Sequence, residues 1–159
     1  MKILIVCASN ICRSPYVEYL LRREIYNNTE LADKILWVKS SAVLNQMRKI
    51  HPKAKIALLN EGFTEEEIDS HIPSYIWFDY RKFKEADLII GMSKSMKYLL
   101  PPWLYRKYKT LSELAGEDYK GIPDPYLEKT QEGYNEVMTE IKGYVMKYVK
   151  LLENDIVMC

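Results

Sequence analysis

Two residues carry the first chemical signal. Cys7 and Arg13 stand with five residues between them, in the run Cys7-Ala8-Ser9-Asn10-Ile11-Cys12-Arg13-Ser14. A free cysteine ionises near ~8.5, but at a helix N-terminus beside a guanidinium a thiol loses its proton more readily. Such a thiolate can attack phosphorus and form a phosphocysteine intermediate. In a turn of this kind the backbone N–H groups of Ala8, Ser9, Asn10, Ile11 and Cys12 converge on one spot, which suits a phosphate-like anion. The planar fork of Arg13 suits two of that anion's oxygens. Ser14 is placed to hydrogen-bond the thiolate and ease its departure in a second step. Asn10 tolerates the left-handed backbone that a ring-shaped loop needs. The plainer alternative is a small buried cysteine ahead of a helix with a surface arginine.

The surrounding elements favour the loop. Ile3-Leu4-Ile5-Val6 is a short apolar run that delivers the chain to Cys7, and residues 2–6 read as a central strand. From Ser14 the apolar positions Tyr16, Val17, Leu20, Leu21 and Ile25 recur at helical spacing, with Ser14 as N-cap and Pro15 as first helical residue. Further along, 34–39 reads as strand two, ending at Ser40-Ser41. A helix is expected from Pro52 to a stop at Gly62, and Thr64 with Glu67 fits a capping box. The stretch 69–78 gives no assignment. Asp79 is expected to cap a short helix carrying Phe83, and 87–92 is strand three. Ser93 is expected to cap a helix that stops before Pro101, and 106–110 supplies an edge strand. Gly121 to Tyr126 is a loop, because two prolines flank Asp124. Tyr134, Val137, Ile141, Tyr144, Val145, Tyr148 and Leu152 form one apolar face of a closing helix. Alternating strands and helices predict an α/β fold: a four-stranded parallel sheet with helices on both faces and the phosphate-binding loop between strand 1 and helix 1.

Bulk properties narrow the field. The 159 residues read as a single domain, 1–159, with enough chain for a sizeable core. Lys and Arg nearly balance Asp and Glu, for a net charge of +1, so no global basic charge points to nucleic acid or a membrane surface. The apolar runs are too short to span a membrane, and the N-terminus lacks the length of a signal peptide. A cytoplasmic monomer is expected. Three cysteines, Cys7, Cys12 and Cys159, argue against a disulfide scaffold, and His51 and His71 have no metal-ligand spacing from them. Neither metal nor cofactor is called for.

The segment Val6-Cys7 through Asn10-Ile11-Cys12-Arg13-Ser14-Pro15 resembles the signature of the low-molecular-weight protein tyrosine phosphatases. Asp87-Leu88-Ile89-Ile90-Gly91-Met92 resembles that family's third strand, and Asp124-Pro125-Tyr126 its late Asp-Pro loop. The resemblance implies a phosphotyrosine-containing protein substrate, with Cys7 as nucleophile, Arg13 binding phosphate and Asp124 as general acid, then base. Acid catalysis of this kind contributes ~10²–10⁴-fold. It also implies that Tyr126 lines the cleft, that Cys12 can form a protective disulfide with oxidised Cys7, and that Ser40 and His71 support the loop. This chain departs from the pattern at three places. Ser9 stands where relatives usually have glycine, Ser93 where they often have aspartate, and Val43-Leu44-Asn45-Gln46-Met47 lacks the aromatic usual after strand two.

Related activities compete with this reading. Arsenate reductases share the loop but need two more cysteines, and here only the terminal Cys159 follows Cys12. Phosphoarginine phosphatases of the same family tend to carry threonine where Ile11 stands. Phosphocysteine-forming sugar-transport subunits lack the arginine supplied by Arg13.

Overall fold

A computed structural model describes residues 1–158, and Cys159 lies outside them. The chain runs β1 (Lys2–Cys7), α1 (Arg13–Tyr26), α2 (Thr29–Lys34), β2 (Trp37–Ala42), α3 (Pro52–Asn60), α4 (Glu65–Asp69), α5 (Tyr80–Glu85) and β3 (Leu88–Gly91). Two 3-10 helices follow, Ser95–Leu99 and Pro102–Lys107. The chain closes with β4 (Tyr108–Thr110), α6 (Leu111–Leu114), a 3-10 turn at Pro125–Leu127 and α7 (Gln131–Val157).

The strands form one sheet in the order β2-β1-β3-β4, every pair parallel. The expected α/β architecture is therefore the one observed. β1 sits inside the sheet, and Ile3, Leu4, Ile5 and Val6 are wholly buried, which requires cover on both faces. The apolar face of α7 docks as its spacing predicts: Tyr134, Val137, Ile141, Val145 and Tyr148 are buried, while Tyr144 and Leu152 pack half-buried against the core. Gly91 ends β3 where Tyr108 crosses it; a Cβ there would lie 1.7 Å from the Tyr108 hydroxyl. That hydroxyl donates to the Ser93 carbonyl at 2.5 Å.

Four local expectations are corrected. Strand two begins at Trp37, three residues later than expected, because Asn28 caps α2 by accepting from Leu31 N at 3.1 Å and holds the chain helical to Lys34. Pairing with β1 then sets the register, Ile3 beside Val38 and Cys7 beside Ala42, so Ser40 and Ser41 lie within the strand. Ser14 is not a cap. α1 starts at Arg13 with no side chain capping it, and the Ser14 hydroxyl turns to the loop instead. Asp79 makes no cap bond to α5 but pairs with Lys82 at 3.0 Å. Ser93 bonds Ser95, and the helix expected after it is a 3-10 segment with Lys94 at the cap position. The Thr64–Glu67 capping box is present as expected.

Candidate active site

The loop from Ala8 to Cys12 joins the end of β1 to the start of α1. Its carbonyls are held from outside. Val43 N donates to Cys7 O, Leu44 N and Asn45 N to Ala8 O, His51 N to Ile11 O at 3.0 Å, and His71 Nε2 to Asn10 O at 3.0 Å. Among the described residues no acceptor takes the N–H of Ser9, Asn10, Ile11 or Cys12. A loop whose carbonyls are turned out and whose N–H groups are unspent is an anion-binding nest.

Asn10 organises this ring. Its φ of 56° is the one left-handed non-glycine conformation among the described residues, so the expectation for Asn10 holds and Ser9 needs no glycine-like backbone. Its Oδ1 accepts from Ser74 N at 3.0 Å, which fixes the amide orientation. Its Nδ2 then donates to Ser14 Oγ at 2.8 Å and to Ser40 Oγ at 2.7 Å. Ser14 Oγ lies 2.9 Å from Cys7 Sγ. Because that oxygen already accepts from Asn10, its proton is free to point at the sulfur. Ser40 in the same way accepts from Asn10 and donates to Glu18. Ser40 and His71 thus meet the loop where the family resemblance put them, through Asn10.

Arg13 is 6% exposed. Its Nη1 donates to Ile122 O at 2.9 Å, and its Nη2 stands 3.8 Å from Asp124 Oδ2. Its Nε is buried with no partner. A buried guanidinium edge with an open donor needs an acceptor, and a phosphate oxygen meets that need. Asp124 Oδ1 accepts from Tyr126 N at 3.0 Å, closing the 3-10 turn and leaving Oδ2 toward Arg13.

These groups line one cleft of about 280 Å3. Its floor is Cys7, Ala8, Ser9, Ile11, Cys12 and Arg13, and its walls are Asp124 and Tyr126 on one side and Leu44, Asn45 and Met47 on the other. The second wall is aliphatic and amide in character. Ser9 Oγ accepts from Asn45 Nδ2 at 3.3 Å, tying that wall to the loop. All three predicted catalytic residues therefore share the cleft, as do the predicted binding residues except Asn10 and Ser14, which act from behind the loop.

Neither Cys12 nor Cys7 forms a disulfide. Burial pushes the Cys12 thiol up to about 12, against a smaller opposing effect of the Tyr134 hydroxyl beside it. Tyr134 is buried, and its phenol is raised by the same loss of solvent.

His51 is a neighbour of the cleft that sequence spacing did not single out. Its ring stacks on Tyr134 at 5.7 Å and meets Tyr126 edge-on at 5.5 Å. Its Nδ1 accepts from Lys53 N at 3.1 Å, capping α3. Lys53 in turn donates from Nζ to Glu128 O and accepts at its carbonyl from Gln131 Nε2 at 3.1 Å. Residues 51–53 therefore bracket the Ala8–Cys12 loop and the Asp124 turn together. The available signal was the Pro52 that follows, which marks His51 as the cap position of a helix. Among the described residues no group of three or more His, Cys, Asp or Glu is placed to share a metal ion, and no helix is long and apolar enough to cross a membrane.

Comparison with known proteins identifies the family. The family profile described as low molecular weight phosphotyrosine protein phosphatase matches residues 2–157. A low molecular weight protein-tyrosine-phosphatase, Ptp, of Acinetobacter johnsonii is 31% identical over 150 residues, covering 93% of this chain and 95% of its own. PtpB of Staphylococcus aureus, of the same description, is 29% identical over 151 residues, covering 92% and 96%. The solved YwlE arginine phosphatase from Geobacillus stearothermophilus superposes with a TM-score of 0.82 at 22% identity, covering 99% of this chain and 96% of that one, a likeness of fold. On the profile match and the Acinetobacter relative, the chain belongs to the low molecular weight phosphotyrosine protein phosphatases, a family of hydrolases.

Proposed function

We propose that this protein hydrolyses phosphotyrosine in proteins through a phosphocysteine intermediate on Cys7. The observation that carries the reading is the meeting of Cys7, the partnerless Nε of Arg13 and Asp124 around one anion nest. Arg13 and the loop N–H groups bind the phosphoryl oxygens and meet the charge that develops on them. Cys7 thiolate attacks phosphorus, the bond to the tyrosyl oxygen breaks, and Asp124 gives that oxygen its proton. Water then attacks the phosphocysteine, Asp124 takes its proton, and the P–S bond breaks. The Ser14 hydroxyl steadies the departing thiolate, while Tyr126 and the Leu44–Met47 wall flank the substrate ring. No step calls on a metal ion, so activity survives a chelator. A reducing compartment keeps a nucleophilic thiol reduced, which supports action in the cytoplasm.

A second reading, phosphoarginine hydrolysis, is favoured by the fold likeness to YwlE. Ile11 argues against it, because it puts an apolar side chain at the cleft floor where phosphoarginine-specific relatives tend to carry a hydroxyl. Phosphotyrosine, phosphoserine and phosphoarginine peptides assayed side by side decide the matter. The phosphotyrosine peptide is expected to lead in kcat/KM by about a hundredfold or more. A lead for phosphoarginine would replace the proposal.

A further inference from the structure

The net charge of +1 conceals a strong asymmetry. Residues 74–110 hold eight Lys and Arg against three Asp and Glu, so the rest of the chain is net acidic. The same stretch holds two of the three tryptophans. Its aromatic side chains are not all core: Trp77 is 65% exposed, Phe78 74% and Trp103 46%.

These side chains form one patch. α5 and the 3-10 helix Pro102–Lys107 lie alongside each other. At one end the Tyr80 ring contacts Trp103 at 6.0 Å and stacks with Trp77 at 6.4 Å. At the other, Lys107 Nζ donates to Lys84 O and Ala86 O, and it also lies 5.9 Å over the Trp103 ring. Phe78, next to Trp77 in the chain, is exposed as well and packs on Tyr75 at 5.9 Å. The two short helices add Arg81, Lys84 and Arg106, all exposed. The local carboxylates are already engaged: Glu85 with Arg81, Asp79 with Lys82, and Asp87 with Lys2 N. Among the described residues none pairs with Lys84, Arg106 or Lys109.

Contiguous wet aromatic surface of this kind marks an interaction site. Its charge selects the occupant. A second copy would set one basic patch against another, which like-charge repulsion opposes. Tryptophan and tyrosine rings rimmed by Lys and Arg match the headgroup layer of an anionic bilayer, where the rings enter the interface and the cations meet lipid phosphates and carboxylates. We propose that the Trp77–Tyr80–Trp103 patch docks the protein on anionic membrane surfaces.

Co-sedimentation with phosphatidylcholine vesicles, with and without about 30% phosphatidylserine, tests this. The wild type is expected to bind the anionic vesicles, to leave the neutral ones largely unbound, and to dissociate in about 0.5 M salt. Trp77→Ser with Trp103→Ser is expected to lower the bound fraction sharply. Lys84→Glu with Arg106→Glu, both exposed and outside the aromatic contacts, is expected to weaken binding at least about fivefold. Both variants should hydrolyse p-nitrophenyl phosphate as the wild type does, which separates docking from the catalytic reading. Equal binding to neutral vesicles, no binding to anionic ones at low salt, or wild-type binding by the charge-reversed variant would overturn the proposal. So would capture by an acidic polypeptide such as polyglutamate without any vesicle binding, which would reassign the patch to a protein partner.

Discussion

Arg13 Nη2 stands 3.8 Å from Asp124 Oδ2, joining the first loop of the chain to one of its last. The same guanidinium donates to Ile122 O at 2.9 Å, so the turn that carries Asp124, the proposed acid, rests on Arg13, the proposed phosphate-binding residue. Asp124→Asn keeps the shape and removes the acidic proton that the leaving oxygen would take. It is expected to lower kcat about 10²–10⁴-fold while inhibition by inorganic phosphate changes little. The loss should be larger for phenyl phosphate than for p-nitrophenyl phosphate, whose leaving group needs less protonation. Equal losses for both would remove Asp124 from the acid role.

Asn10 combines a left-handed backbone with three side-chain hydrogen bonds. Asn10→Ala strands the partners of those bonds and strains the backbone, for an expected loss of about 2–4 kcal/mol of stability. Asn10→Gly relieves only the strain. It should recover part of the melting temperature and little of kcat/KM, since Ser14 and the loop stay unsupported. Thermal melts and kinetics on the two variants separate the contributions.

His51 ties the Asp124 turn to the phosphate loop. Removing its ring by His51→Ala should lower kcat about ten- to hundredfold for phenyl phosphate and less for p-nitrophenyl phosphate, through misplacement of Asp124. Its proton affinity gives a second signature. Burial, helped by the Lys53 ammonium and opposed by Asp124, holds His51 below its ordinary 6.5. The folded state then prefers neutral imidazole while the unfolded chain takes up a proton. The contribution is complete above pH 6.5 and is lost as pH falls through the lowered value. Melting temperature should therefore fall less steeply below pH 6.5 in His51→Asn than in the wild type.

Cys12, with its thiol held near 12 by burial, should stay protonated at neutral pH. Iodoacetamide followed by peptide mass spectrometry is expected to find Cys7 alkylated, phosphate protecting it, and Cys12 unmodified. Cys12→Ala should keep most of the activity. Rapid alkylation of Cys12 would contradict its placement.

What was legible in the sequence was what depends on neighbours in the chain. The apolar run of β1, the spacing of α7, the Thr64–Glu67 box and the left-handed Asn10 are local signals, and each appears in the fold. The apolar run before Trp37 does not show where β2 starts, because the Asn28 cap keeps the chain helical to Lys34; nor does it show register, and pairing with β1 puts Ser40 inside the strand, under Asn10. Ser14 looked like a cap because its type and the following proline fit one, but the loop takes its hydroxyl for Cys7. His51 carries no motif. Its role exists only where α3, the phosphate loop and the Asp124 turn meet, which is a tertiary fact.

The most direct test of the central claim is hydrolysis of a phosphotyrosine peptide at mildly acidic pH by the wild type and by Cys7→Ser. The account predicts turnover by the wild type and a loss of at least about a thousandfold in Cys7→Ser, with the variant still folded and still binding phosphate. Turnover by Cys7→Ser near the wild-type rate would contradict it.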